Sequence, residues 1–444
     1  MPCIGAGYTP EGRRAARGKS VIAVHRIKEA DIVTTKHADF ARNWKDIAAG
    51  FLKLGVTAYG DPAIIGIMQA ELQDKRQWVS KERFVEGLSL VNMLPGAGAT
   101  QLGIFLGYAR GGWWGGLLAG LCFVLPAFCI MLVLTMAYAT LGVTPIIRGA
   151  LYGLGPVVLG IFLVAVYRLG RSAVNTISQA MIAIAAASAL LFSPLGMAPI
   201  LLLAGGMGLL LFHSKKVGTV VLVLSTALLG ILQFPLWSTS APVLLMPQGA
   251  SPAAGLTDIG VFFFKVGAFT FGGGLTMIAF IQDQVVNQLH WLTPQEFIDG
   301  LALGQFTPGP ILMVAAYVGY KVMGIAGAVV GAAAVFFPSF ILMLAILPVL
   351  HRVRALVWTK AAMQGIGPAV IGVLAVSLVQ MVPHALPDPL ALAMLLATVI
   401  ALLMWRIGTV KMMLAGSVFG VLRSRLLSLP GVKAAFSLGL WVGI

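Results

Sequence analysis

The chain has 444 residues, 59% of them apolar and only 10% charged, with a mean hydropathy of +0.94 and a net charge of +15. Soluble domains carry about 25% charged residues, so this inventory cannot cover a water-facing globule and points to an all-α polytopic membrane protein. In a soluble chain, 30 Lys and Arg against 15 Asp and Glu would suggest nucleic acid. Here they are scattered through the tail and the inter-helix segments, the pattern that orients membrane proteins, and no nucleic-acid partner is expected.

In chain order, residues 1–48 form a polar, basic tail without the apolar core of a signal peptide. They read as a cytosolic segment ending in a short surface helix around 38–47. Apolar blocks follow at about 84–109, 112–140, 146–167, 177–193, 194–212 and 218–234. A Pro/Ser-rich linker, 235–258, precedes further blocks at 259–281, 297–320, 322–350, 361–382, 390–405 and 412–444.

A shift of 212 or 213 residues superimposes the two halves. Phe51-Leu52-Lys53-Leu54-Gly55 meets Phe263-Phe264-Lys265-Val266-Gly267, Trp78 meets Trp291, and Pro95-Gly96 meets Pro308-Gly309. Gly107-Tyr108 meets Gly319-Tyr320, Pro126 meets Pro338, and Gly153-Leu154-Gly155-Pro156 meets Gly365-Ile366-Gly367-Pro368. A shared lipid composition would match scattered Leu and Ala, not Lys, Trp, Gly and Pro in one order. The reading is two repeats, 49–234 with extra spans and 259–444.

Loop charge tests their relative direction. Segment 71–83 carries Lys75, Arg76, Lys81 and Arg83, whereas 282–296 carries no Lys or Arg; Arg168 and Arg171 likewise have no basic counterpart in 381–389. The difference reverses at Arg148 against Arg352, Arg354 and Lys360. Equivalent loops therefore lie on opposite sides, the signature of inverted-topology repeats. If the tail, 71–83, 168–171 and Lys215-Lys216 are all cytoplasmic, 47–70 does not cross fully. The block 112–140, holding Pro126, must then fold back. Five crossings separate the repeat starts, and the whole chain has roughly ten transmembrane helices with broken or re-entrant segments.

Neither metal nor nucleophile chemistry is indicated. Cys3, Cys122 and Cys129 form no Cys-x-x-Cys pair, the six histidines sit mostly in tails and loops, and there is no Walker loop or His-Glu-x-x-His pattern. No metal, cofactor or enzymatic activity is expected. Chemistry must come from the Gly/Pro interruptions and the few polar groups beside them. Gly60, Asp61 and Pro62 are matched by Gly272, Gly273 and Gly274; Pro95 and Gly96 by Pro308 and Gly309. A helix broken at membrane depth survives only in protein or beside a wet cavity. Where it restarts, its free N–H groups and positive dipole end suit an anion. Close helix packing is the alternative role of such residues.

Lys53 and Lys265 are repeat mates inside apolar segments, a costly placement that marks an anion-site candidate unless they snorkel to the headgroups. Asp61 can pair with Lys53, couple protons or bind a cation. Asn92 aligns with Gln305, each three residues before its Pro-Gly break, and Thr100, Gln101 and Thr307 flank the breaks.

These residues resemble the chromate ion transporters of prokaryotes in their long two-half form. The match rests on Phe51-Leu52-Lys53-Leu54-Gly55 running to Gly60-Asp61-Pro62, on Leu94-Pro95-Gly96 with Ala99-Thr100-Gln101-Leu102, on Phe271-Gly272-Gly273-Gly274, and on Gly304-Gln305-Phe306-Thr307-Pro308-Gly309-Pro310. It covers about 48–380. Two motifs depart from the family: Gly60-Asp61-Pro62 replaces the common Gly-Gly-Pro, and Pro95-Gly96-Ala97-Gly98 replaces Pro-Gly-Pro followed by an acid. The resemblance implies a multi-pass bacterial inner-membrane protein that exports chromate and confers chromate resistance, with sulfate as a competing oxyanion. The expected mechanism is secondary transport driven by membrane potential or proton coupling. A sulfate or other oxyanion transporter is the nearest alternative, and a membrane-embedded enzyme or sensor a remoter one. The lipid bilayer and the oxyanion are the expected partners; a homodimer is allowed by the sequence but not argued from it.

Overall fold

Runs of Gly, Ala, Leu and Val punctuated by Gly-Gly and Pro-Gly leave helices as the way to satisfy backbone groups in lipid, with breaks only where protein can receive them. The computed structural model describes residues 40–59, 61–141, 144–193, 197–238, 254–270, 274–349, 357–405 and 407–428. The tail through 39, Gly60, Gly272, Gly273 and most of the linker lie outside these residues, as do the side chains of Asp61 and Pro62.

The first half contains α1 (Phe40–Thr57), α2 (Asp61–Met68, continued by a π-helical turn Gln69–Lys75), α3 (Lys81–Met93) and α4 (Gly98–Leu141). It continues with α5 (Pro145–Ala173), α6 (Ile177–Phe192), α7 (Met197–Phe212) and α8 (Lys215–Ser238). The second half repeats the first seven: α9 (Leu256–Ala268), α10 (Leu275–Gln282, then Asp283–Gln288 as a π-turn), α11 (Pro294–Phe306) and α12 (Ile311–Val349). Then come α13 (Val357–Ala385), α14 (Pro389–Met404) and α15 (Thr409–Ser428). α8 has no mate. The expected short surface helix at 38–47 is, over its described residues, the opening of α1, which runs on through Phe51-Leu52-Lys53-Leu54-Gly55 to Thr57.

α4 and α12 each reverse direction. Gly111 and Gly112 take φ/ψ of −140/20° and 62/−154°, and Met323 and Gly324 take −139/27° and 63/−149°. The second residue of each pair occupies backbone space open essentially to glycine alone. The arms then pack antiparallel, Gly107 against Gly115 and Gly319 against Gly327. This refines the expected fold-back of 112–140: Pro126 sits inside a continuous helix, and the reversal falls at the very start of that block, at Gly111–Gly112.

Each half therefore begins with two helical hairpins, α1–α2 and α3 with the short arm of α4, mirrored by α9–α10 and α11 with the short arm of α12. Lys53 bonds Glu71 across the first hairpin, and Gly87 abuts Phe105 across the second. In the other half Gly300 abuts Tyr317, and the Tyr317 hydroxyl donates to the Glu296 carbonyl at 2.9 Å. The 13 residues of α3 and of α11 span about 20 Å, short of the ~30 Å hydrocarbon layer, so these elements enter and return. By contrast α5 and α13, with 29 residues each, reach about 43 Å. Mated core aromatics fill equivalent places: Phe51, Phe84 and Phe105 in one half, Phe263, Phe297 and Tyr317 in the other, all nearly inaccessible.

Packing is reciprocal between halves. α5 meets α15 where Gly153 faces the Gly416 carbonyl, and α13 meets α7 where Gly365 faces the Ala204 carbonyl. Gly160 faces Thr398 of α14 as Gly372 faces Ala183 of α6. Such i-to-j, j-to-i contacts define a two-fold relation. One end of the molecule gathers Asn43, Asp46, Trp78 and Arg110; the other gathers Tyr138, Arg148, Gln295 and His384. The long arm of α4 leads from beside Arg110 at the first end to Tyr138 at the other, where Gln295 of the second half also lies. The second half consequently starts from the end opposite the first. The two repeats are inverted.

Candidate functional site

α3 stops because Pro95 and Gly96 follow its last turn, and α4 restarts at Gly98. Gly96 has φ +132° and its mate Gly309 has φ +99°, both barred to ordinary side chains. The freed backbone groups are satisfied across the two-fold. Gly309 N–H donates to the Ala58 carbonyl at 2.7 Å, and Gly96 N–H donates to the Thr270 carbonyl at 2.6 Å. Tyr59 also pairs in parallel with Gly309. Each hairpin tip of one repeat thus crosses a tip of the other.

The crossings differ in one polar detail. Ala97 N–H donates to Ser339 Oγ at 2.8 Å. At the equivalent crossing Pro310 has no N–H, and Ala127, which offers no acceptor, stands against Gly309. Gain of a donor in one repeat is matched by gain of an acceptor in the other.

Thr100 and Gln101, both fully buried, occupy the first turn of α4. Gln101 Nε2 donates to the Pro95 carbonyl at 2.6 Å, while Gln101 Oε1 and Thr100 Oγ1 are buried with no hydrogen-bond partner. The first N–H groups of a helix have no intrahelical acceptor, so this turn presents polar groups from backbone and side chain together. Thr307 is buried too, but its hydroxyl bonds the Leu303 carbonyl at 2.9 Å and contacts Met131 Sδ at 3.3 Å. Pro308, Gly309 and Gly274 are buried and Gln305 half-buried, whereas Asn92 is exposed on α3.

The two lysines stand apart from the crossings, five residues before Ala58 and Thr270. Lys53 is half exposed and bonds Glu71 at 3.0 Å; Arg76 and Lys75 approach the same carboxylate at 3.2 and 3.8 Å. The Lys53 hydrogen bond, aided by Arg76, holds the Glu71 carboxyl below its ordinary range against a smaller effect of burial. Glu71 has Gln284 as its mate. Lys265 therefore lines, with Asp258, Gln284 and Trp291, a cavity of about 590 Å³ whose equivalent carboxylate is missing. The structure joins Pro95, Gly96, Thr100 and Gln101 at one crossing and Pro308 and Gly309 at the other, and leaves each lysine on its own hairpin. Sequence reasoning missed Ser339; its signal was the loss of Ala127's match just after the paired prolines.

Two inverted helical repeats with crossed hairpin tips define a polytopic membrane protein with a polar seam between its halves. A family profile described as Chromate transporter matches 45–211 and 257–421, and the chain belongs to that family. It is 34% identical to a probable chromate transport protein of Synechococcus elongatus over 71% of this chain and 78% of the relative. It is 30% identical to a chromate transport protein of Cupriavidus metallidurans over 83% and 90%. An uncharacterized transporter of the archaeon Methanocaldococcus jannaschii is 29% identical over 70% and 77%. No solved structure matches the chain. The two matched regions cover α1–α7 and α9–α15, leaving α8 between them.

Proposed function

We propose that the protein exports chromate from the bacterial cytoplasm as a secondary transporter, with sulfate as a competing oxyanion. The observation that carries this reading is the first turn of α4, where the Thr100 hydroxyl lies buried and unpartnered beside a helix start. A hydroxyl and unpaired amides can donate to a tetrahedral oxyanion. Gln101 holds the break through Pro95, and Gly96, Pro308 and Gly309 shape the two crossings; Gly60, Pro62, Gly272, Gly273 and Gly274 are candidates from the sequence. Gln305, Thr307 and Asn92 supply secondary polar contacts. Lys265, with no carboxylate mate at Gln284, attracts the dianion; Lys53, already engaged by Glu71, contributes less. Asp61 is retained as a coupling candidate from sequence.

The unit boundaries proposed are 1–48 for the tail, 49–234 and 259–444 for the repeats and 235–258 for the linker. Lys75, Arg76, Lys81, Arg168, Arg171, Lys215 and Lys216 fall at the end where α1 begins, which by the positive-inside rule is the cytoplasmic one. For a dianion leaving that side, an inside-negative potential supplies about 2.3 kcal/mol per charge per 100 mV, about 4.6 in all.

Inverted membrane vesicles test the reading. Labelled chromate should accumulate on imposing a potential, excess sulfate should compete, and Thr100→Ala should lower the initial rate about tenfold, equivalent to one lost hydrogen bond to a charged ligand. Lys265→Ala should weaken uptake more than Lys53→Ala. Unchanged uptake in Thr100→Ala and Lys265→Ala together removes the site assignment; no uptake by the wild type removes the function.

A further inference from the structure

At the end opposite the basic loops, a cavity of about 340 Å³ is lined by Tyr138, Arg148, Tyr152, Gln295, Asp299 and His384. Asp299 is only 5% exposed. Its carboxylate accepts from the Tyr138 hydroxyl at 2.9 Å and from Gln295 Nε2 at 3.1 Å, both neutral donors. The repeat explains why this acid lacks an ion-pair partner among the described residues. Its mate Glu86 is paired with Arg83 at 2.8 Å, but the mate of Arg83 is Glu296, a second acid. Two nearby cations are engaged elsewhere, Lys321 with Glu296 at 2.7 Å and Arg423 with Asp388 at 2.8 Å. Tyr317 from α12 and Tyr152 from α5, the latter bonded to Asp388, add hydroxyls rather than charge. Arg148 and His384 form the basic part of the cavity wall.

We propose that Asp299 is a proton-binding site on the anion path, taking a proton from cavity water as the oxyanion enters and returning it to water as the anion leaves. Burial without a cation bonded to it favours the neutral form of this acid, the two donated hydrogen bonds oppose that, and a dianion in the same cavity favours the neutral acid further. With Asp299 protonated, Arg148 dominates the cavity and admits a dianion. With Asp299 ionised, like charge opposes it. This inference rests on the oxyanion-transport reading and assigns to it a proton site that sequence had sought at Asp61.

The test is chromate counterflow in proteoliposomes with the same pH on both sides, measured across the neutral range. The wild-type rate should fall about tenfold per pH unit above its midpoint, as for a single titrating group, whereas Asp299→Asn should give a flat profile. Chromate's own protonation affects both proteins alike, so the difference between profiles isolates Asp299. A wild-type profile retained in Asp299→Asn overturns the inference, as does a folded Asp299→Asn that is inactive at every pH. Should Asp299→Asn fail to assemble, Asp299→Glu and Tyr138→Phe should each shift the midpoint, and unchanged midpoints in both overturn it. Absence of counterflow by the wild type at every pH counts instead against the transport reading.

Discussion

Ser339 shows how an inverted repeat tolerates asymmetry. Its hydroxyl receives the Ala97 N–H; across the two-fold neither donor nor acceptor exists, because Pro310 and Ala127 replace them. Ser339→Ala should therefore orphan a buried N–H and cost about 1–3 kcal/mol, read as a lower unfolding temperature of the detergent-purified protein. Adding Ala97→Pro, which removes the donor as Pro310 does, should recover part of that loss, and strict additivity of the two substitutions would disprove the pairing. Both substituted positions were visible in the repeat alignment. Their meeting was not, since no local pattern says that the tips of one repeat cross those of the other. The lysines give the converse case: their register was legible, but their separation onto different hairpins depends on which face of α1 and α9 packs inward.

At the scale of elements, the sequence marked the interruptions well and assigned one reversal to the wrong residue. Proline removes one helical hydrogen bond and bends a helix, and Pro126 and Pro338 both stay within long arms. A reversal needs backbone space that only glycine occupies freely, and Gly112 and Gly324 provide it. A Cβ at Gly324 would meet nothing within 4 Å, so Gly324→Ala tests the dihedral alone. It should destabilise the protein by about 1–3 kcal/mol, measured by thermal unfolding, whereas Gly304→Ala, also in open space but inside α11, should be neutral or slightly stabilising. Equal effects would show that φ at 324 is not what matters. Helix ends, in contrast, followed familiar signals: Ser80, Thr176, Thr293 and Asp388 each cap a following helix through the side chain.

For the whole molecule, orientation depends on parity. Among the described residues seven elements per repeat are matched and α8 is the unmatched helix, standing between the repeats. Loop charge alone disclosed the inversion, because Lys and Arg are sorted by side whatever the fold inside. Asp74 and Asn287 are exposed repeat mates on the α2 and α10 turns. In a background with Cys3, Cys122 and Cys129 replaced by Ser, Asp74→Cys should react with an impermeant thiol reagent only from the cytoplasmic side. Asn287→Cys should react only from the outside. Labelling of both from one side would contradict the inversion.

The reciprocal packing also fixes an order of events during synthesis. α5 completes its contact with α15 only when Gly416 has been made, roughly 260 residues after Gly153. At translation rates of about 5–20 residues per second, that interval is roughly 15–50 s. For the earlier part of it, until Thr270 and Gly309 are made, the Gly96 N–H and the Ala58 carbonyl of the nascent first half still await their partners from the second half. A chain of this design is therefore most exposed to insertase, chaperone and protease while half made, and substitutions at the crossings should reduce how much protein accumulates before they reduce how well it works.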